Sequence, residues 1–289
     1  MSENKLVKAI KNKGKDLESE MSFFGHLEAL RWHLMRAALA VIVFSVVAFC
    51  NFTFIYNNII MGPWNPDTFW TFRIMCKLGT FFHIDGFCIT KMNAILISTG
   101  VGDQFLLQLN SSVTIGIILA IPYILWEIWR FVKPALLDKE RKAANGFVFY
   151  ATLLFVIGIL FGYYILAPES IAFLANYSVS ADIHNQFTVG SYLSILSTVT
   201  LITGIVFELP MIIYILASIG VLTATFMRRT RRYAILIIML VGAIISPSPD
   251  VLTTTIATIP LLILYEIGVM VAAVVEKRRN EKHEEFMKA

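Results

Sequence analysis

Long apolar runs separated by short polar segments dominate the pattern of hydrophobic and polar positions along this chain. Apolar and polar residues do not alternate within the runs, which is the pattern of a membrane-spanning helix. A β-barrel would instead show alternating segments of roughly 10 residues. We therefore predict an all-α, polytopic integral membrane protein with six transmembrane helices. The predicted spans are residues 37–56, 106–130, 146–166, 191–218, 233–247 and 251–275.

Two prolines, one aspartate and one short apolar run modify this pattern. Pro122 falls inside the second span and is expected to kink it, and Pro63 is expected at a structural turn after the first span. The fifth span, 233–247, is shorter than the roughly 20 apolar residues that a full crossing takes. It is expected either to cross a thinned bilayer or to stay buried against its neighbours. Asp250 is the expected N-cap of the sixth span, after a tight turn.

The composition supports a membrane protein. The 289 residues are 57% hydrophobic and 15% charged, with a mean hydropathy of +0.71. A soluble domain carries about 25% charged residues, because its surface faces water. The three cysteines form no CxxC or Cys/His cluster, so neither a metal nor a cofactor is predicted. Cys76 and Cys88 share the first long loop, where a disulfide between them is a hypothesis.

The distribution of lysine and arginine predicts the orientation. If the N-terminus is cytoplasmic, only Arg73, Lys77 and Lys91 of the 24 basic residues face outward. Basic residues concentrate in the cytoplasmic segments of membrane proteins, so both termini are predicted to be cytoplasmic. The predicted organisation is a disordered N-terminal tail at 1–21, a six-helix membrane domain at 22–276 and a C-terminal tail at 277–289.

Two of the predicted cytoplasmic segments carry side chains suited to binding a basic peptide. Residues 22–34 have the pattern of an amphipathic helix, in which Glu28 and Arg31 are spaced so that they can also simply pair with each other. Residues 131–142 place Glu140 and a second carboxylate among four cations. This loop is either an ordinary solvated turn or a receptor for a basic peptide, since carboxylates match the forked geometry of arginine.

Carboxylates within or at the ends of the spans are a second group of candidates. An ionisable group at membrane depth is costly and usually marks function or a buried partner. Glu127 lies three residues before Arg130, so local pairing is its expected explanation. Glu208 precedes Pro210 and has no cation in its own span, which makes it the strongest functional candidate. Glu266 in the sixth span is expected to have a structural role.

Taken in order, these segments resemble the TatC family, the Sec-independent protein translocase subunit. The resemblance covers roughly residues 22–276, and five motifs in order around six spans make it specific. The motifs are His26-Leu27 with Leu30-Arg31, Phe131 with Pro134-Ala135-Leu136 and Glu140-Arg141, Phe207-Glu208-Leu209-Pro210, the turn from Ser246 to Val251, and Ile259-Pro260 with Tyr265-Glu266-Ile267-Gly268-Val269.

The resemblance implies a cup-shaped fold in the inner membrane that binds twin-arginine signal peptides of folded cargo at the cytoplasmic face. It also implies single-span Tat A/B-type partner subunits, a homo-oligomer in the complex, contact with membrane lipid, and export driven by the proton-motive force. The residues it assigns to signal-peptide binding are Glu28, Arg31, Phe131, Pro134 and Glu140. Those it assigns to an intramembrane groove and partner contact are Glu208, Pro210 and Glu266.

One position departs from the family's pattern. The family often has an acidic residue directly before the Leu-Arg pair, where this chain has Ala29. The nearest carboxylate is that of Glu28, one position earlier, and on a helix this turns the side chain by about 100°. The acidic role is therefore expected to fall on Glu28 or mainly on Glu140.

A second class of function also fits the composition. In a proton- or ion-coupled secondary transporter of small solutes, Glu208 and Glu266 would act as relays. An enzyme is not predicted, because the chain contains no HExxH, GxSxG, P-loop or GxGxxG sequence. A nucleic-acid partner is not predicted either. The ordered motifs favour the translocase over the transporter.

Overall fold

Long α-helices dominate the computed structural model, which describes residues 3–82, 91–132, 146–180, 182, 184–246 and 251–288. In chain order the helices are α1 (Glu3–Cys50), α2 (Phe52–Ile55), α3 (Trp70–Phe82), α4 (Asp103–Val132), α5 (Phe147–Phe161), α6 (Ala167–Asn176), α7 (Val189–Phe207), α8 (Leu209–Ile219), α9 (Ala224–Arg229), α10 (Arg231–Ile245) and α11 (Val251–Lys288). The predicted division into two tails and one membrane domain stays a prediction.

The described residues contain five helical stretches that are long and apolar enough to cross a membrane. They are Leu27–Cys50, Asp103–Val132, Phe147–Asn176, Val189–Ile219 and Thr253–Arg278. The remaining predicted span corresponds to α10, which has 15 residues. Its length of about 22 Å is less than the roughly 30 Å of a hydrocarbon core. The polytopic helical fold is confirmed, and α10 can cross only where the bilayer is thinned.

The helices α1 and α4 run antiparallel and define the two ends of the bundle. At one end the Gln108 amide donates to the Phe49 carbonyl at 3.3 Å. At the other end His33 of α1 contacts Glu127 of α4. We call the end at Phe49, where α4 and α7 begin, the outer end, and the end at His33 the inner end.

A small parallel sheet lies at the outer end, which the sequence pattern does not predict. Its strands are β1 (Ala94–Ile97) and β2 (Asn185–Thr188), paired in register from Ala94 with Asn185 to Ile97 with Thr188. The strand β2 leads directly into α7, where Thr188 Oγ1 accepts from the Ser191 amide at 3.1 Å. The two strands are far apart in the chain, so no local pattern reveals their pairing.

The helices α5 and α7 approach each other closely at two glycines. A Cβ atom added to Gly158 would lie 2.9 Å from the Gly204 Cα and 2.8 Å from the Phe207 Cβ. Only a residue without a side chain allows the two backbones this separation. Small residues are the usual means by which membrane helices pack tightly.

The two prolines expected to bend the chain, Pro63 and Pro122, have different settings, and Asp250 lies outside the described residues. Pro63 is buried in a 3-10 turn at Gly62–Trp64. Pro122 lies inside α4, which continues as a helix on both sides of it. A proline is tolerated inside a membrane-spanning helix when neighbouring groups satisfy the freed backbone carbonyl. The kink expected at Pro122 stays a prediction.

The cysteines separate into two kinds. Cys50 is a free thiol at the end of α1. Cys76 in α3 is disulfide-bonded. Its predicted partner, Cys88, lies outside the described residues, so the pairing itself stays a prediction.

Candidate functional site

A buried carboxylate joins α1 to α4 at the inner end. Glu127 is 1% exposed. Its Oε1 accepts a hydrogen bond from the Tyr123 hydroxyl at 2.9 Å, and its Oε2 accepts one from the Nδ1–H of His33. The His33 ring also meets Phe131 edge-on, with ring centroids 6.0 Å apart. We call Tyr123, Glu127 and His33 the inner-end cluster.

The predicted pairing of Glu127 with Arg130 is wrong. Glu127 faces α1 and is buried, whereas Arg130 is exposed on α4. The Arg130 guanidinium lies over the Trp126 ring instead, 5.6 Å from its centroid. A cation over an indole face is a favourable contact at an exposed site, while Glu127 needs partners in the interior.

The predicted peptide-binding residues of α1 lie exposed beside the inner-end cluster. Glu28 and Arg31 are both exposed, and they do not form an ion pair with each other. Ala29, the position that departs from the family's pattern, precedes His33 by one helical turn and so shares its face of α1. The carboxylate of Glu127 therefore approaches α1 one turn from Ala29.

The ends of the predicted receptor loop are held together by aromatic packing. Trp129 near the end of α4 stacks on Phe147 at the start of α5, with ring centroids 4.1 Å apart. Phe131, the first residue of the loop motif, is half-buried against α1. Pro134 and Glu140 lie outside the described residues. The last described residues before the loop include Phe131, which contacts His33, and the first after it include Phe147, which contacts Trp129.

Glu208 lies where two helices meet. Its amide donates to the Ile205 carbonyl at 3.1 Å, which closes α7, and Pro210 occupies the first turn of α8. The side chain is 9% exposed, and its Oε1 has no hydrogen-bond partner among the described residues. A buried acceptor without a donor is costly, so this site suits a ligand or partner that supplies a donor.

Glu266 has a partner on another helix that the sequence does not reveal. Its Oε1 lies 2.6 Å from Arg231 Nη2 at the start of α10. This ion pair links α10 to α11, and both of its side chains are substantially exposed. The expected structural role agrees with this contact.

A polar cavity of about 490 Å³ separates α4 from α7 in the outer half of the bundle. The polar residues of the two helices that line it include Asn110, Ser111, Thr114, Ser191, Ser194, Ser197 and Thr198. Hydroxyl and amide groups at this depth favour water over lipid chains. None of these residues was a candidate in the sequence, because single serines and threonines within an apolar run give no signal.

The residues of the inner-end cluster were also missed, apart from Glu127. The signals available in the sequence were a tyrosine inside the second apolar run and a histidine in the amphipathic segment 22–34. Within the described part of the chain, no three His, Cys, Asp or Glu side chains come together as a metal site requires.

Comparison with known proteins identifies the family. A family model described as Sec-independent protein translocase protein (TatC) matches residues 25–260, most of the chain. The chain belongs to the TatC family. It is therefore a component of a Sec-independent translocase, and a secondary transporter of solutes is not favoured. The TatC family is a family of translocase components rather than of enzymes.

Individual TatC proteins resemble the chain over nearly its whole length. The TatC protein of Blattabacterium sp. subsp. Periplaneta americana is 34% identical, over 92% of this chain and 100% of that protein. TatC of Carboxydothermus hydrogenoformans is 30% identical over 90% and 96%, and TatCy of Bacillus subtilis is 30% identical over 88% and 89%.

Solved TatC structures share the fold. A crystal structure described as the twin arginine translocase receptor TatC aligns with a TM-score of 0.62 and 29% identity, covering 86% of this chain and 99% of that one. A second, in DDM, aligns with a TM-score of 0.65 over the same shares. These likenesses agree with a polytopic helical membrane protein.

Proposed function

We propose that this chain is the subunit that binds Arg-Arg signal peptides of folded cargo at the cytoplasmic face of the inner membrane. With single-span Tat A/B-type partners, and as part of a homo-oligomer, it exports the cargo at the expense of the proton-motive force. Membership of a translocase family supports this proposal, as does the likeness to crystal structures of a twin arginine translocase receptor.

The observation that carries the proposal is the meeting of two separate segments at the inner end. The inner-end cluster holds the segment with Glu28 and Arg31 against α4, and His33 also contacts Phe131, just before the loop that contains Glu140. The Trp129–Phe147 stack joins the two helices that flank this loop. Sequence motifs far apart in the chain thus adjoin one surface.

The chemistry of this surface suits two neighbouring arginines. Guanidinium groups bind carboxylates through two parallel hydrogen bonds, and lysine cannot reproduce that geometry. One exposed ion pair contributes only about 0–1 kcal/mol. Selectivity for an arginine pair therefore needs more than one carboxylate, and we assign that role to Glu28 and Glu140.

The basic residues support a cytoplasmic inner end. Arg130 lies in the last turn of α4 and Arg228 and Arg229 in the last turn of α9, both at the inner end, whereas Arg73 and Lys77 lie in α3 at the outer end. Lysine and arginine favour the cytoplasmic side. We therefore propose that both termini are cytoplasmic.

A direct test of the loop assignment compares two carboxylates only two residues apart. Each of Glu140→Ala and Asp138→Ala would be made in the full chain, and binding of an Arg-Arg signal peptide would be measured by crosslinking in reconstituted membranes. We expect Glu140→Ala to weaken binding clearly more than Asp138→Ala. Equal effects would remove Glu140 from the site.

We also propose that Glu208 and Pro210 form an intramembrane groove for a single-span partner, with Glu266 at its margin. The Glu208 oxygen without a described donor supports this assignment, since a polar group of the partner helix would satisfy it. Glu208→Leu should then reduce co-purification of the partner, while Glu208→Gln should preserve it. If the partner co-purified equally well with both variants and with the unsubstituted protein, the assignment would be contradicted.

A further inference from the structure

We propose that α3 is an interfacial helix, whose exposed face enters the leaflet at the outer end and binds anionic phospholipid headgroups. This inference does not depend on signal-peptide recognition. It concerns the loop between the first two spans, to which the proposed function gives no role.

The helix α3 has two distinct faces. Phe72 and Met75 are buried, and Phe72 packs with Phe69 and Ala172 in a small hydrophobic cluster. This face attaches α3 firmly to the bundle.

The opposite face of α3 carries a stripe of large apolar side chains. Trp70, Ile74 and Phe81 are 51%, 44% and 76% exposed. At about 100° per residue, the three lie within about 40° of one another around the helix axis. A stripe of this kind on the outside of the bundle needs an apolar environment.

Two cations border one side of the stripe. Arg73 and Lys77 are both exposed, and neither forms an ion pair within the part of the chain that the structure describes. One Arg73 nitrogen donates to the Thr68 carbonyl at 3.3 Å, which leaves further N–H groups of the guanidinium available. An apolar stripe bordered by Lys and Arg is the arrangement by which amphipathic helices bind anionic lipid.

The depth of α3 in the bundle points to lipid rather than to another protein. Trp70 packs on Tyr164, with ring centroids 5.2 Å apart. Tyr164 lies in the span Phe147–Asn176, about 25 Å from the start of that span at 1.5 Å per residue. It is therefore near the far edge of a hydrocarbon core of roughly 30 Å, the level at which tryptophan and tyrosine concentrate.

The test places a photoreactive diazirine amino acid at Ile74 or Phe81 of the full chain, in liposomes of phosphatidylcholine with phosphatidylglycerol. Adducts are identified by mass spectrometry and by gel mobility. We expect phospholipid adducts at both positions, and none at Val179, which is exposed in another outer-end segment. A crosslinked dimer would show that a second copy covers the stripe, and a water adduct alone would show that it faces solvent. Either result overturns the proposal.

The cations are tested in the same liposomes. Arg73→Gln and Lys77→Gln should each lower the ratio of phosphatidylglycerol to phosphatidylcholine adducts at Ile74, by up to about fivefold, because each variant loses one positive charge. The matched control is Arg228→Gln at the inner end, which should leave that ratio unchanged. An unchanged ratio in the Arg73 and Lys77 variants would contradict the headgroup contact.

Discussion

At the residue scale, the contact between α1 and α4 at the inner end depends on Glu127. Its carboxylate accepts from both Tyr123 and His33 and is almost fully buried. Breaking the cluster leaves donors without an acceptor, which costs more than an exposed ion pair does.

We predict that Glu127→Ala lowers the free energy of unfolding by about 1–3 kcal/mol, because the His33 and Tyr123 donors lose their acceptor. Glu127→Gln should cost less, since its amide oxygen still accepts one hydrogen bond. Thermal unfolding of the purified protein measures both effects.

The matched control for Glu127→Ala is Glu266→Ala, which removes the exposed pair with Arg231. This change should cost about 0–1 kcal/mol. If the two alanine variants were equally stable, the inner-end cluster would not be the stabilising contact described above.

At the element scale, the sequence predicts most helices because their apolar runs are long. The short fifth span was predicted and corresponds to α10, because the length of an apolar run can be read directly from the sequence. The β1–β2 pair was not predicted, because Ala94 and Asn185 meet only through the tertiary fold. The predicted pairing of Glu127 with Arg130 was wrong for the same reason. The sequence shows that Arg130 lies three residues away, but it does not show that His33 on another helix approaches Glu127.

The packing of α5 on α7 gives a prediction at this scale. Gly158→Ala places a Cβ against the Gly204 backbone and should destabilise the protein by about 1–3 kcal/mol, the usual cost of overpacking. Gly102→Ala is the control, because no atom lies within 4 Å of the added Cβ, and it should change stability by less than about 0.5 kcal/mol. Equal melting temperatures for the two variants would show that α5 and α7 are not closely packed.

At the scale of the whole molecule, the proposed orientation predicts which loops face outward. A cysteine would be introduced at Val179 or at Val221, both highly exposed, in a Cys50→Ser background, and its labelling compared with that of the background itself, which retains Cys76 and Cys88. A membrane-impermeant maleimide added to intact cells should label Val179→Cys at the outer end and leave Val221→Cys unlabelled until the membrane is opened. The reverse pattern would invert the topology and move the inner-end cluster to the outside.

The candidate site could be predicted from sequence only in part. The motifs around Arg31 and Glu140 were visible as short patterns, and family membership is confirmed. The contacts that join the two segments were not visible, because they involve side chains of α1, α4 and α5 that come together only in the folded bundle.

The central claim is that the inner end recognises an arginine pair. The most direct measurement is photo-crosslinking from a probe beside Glu140 in the membrane-embedded protein, with a cargo signal carrying either Arg-Arg or Lys-Lys. We predict a strong crosslink with Arg-Arg that is lost with Lys-Lys. No crosslink to either signal, or equal crosslinks to both, would contradict the claim.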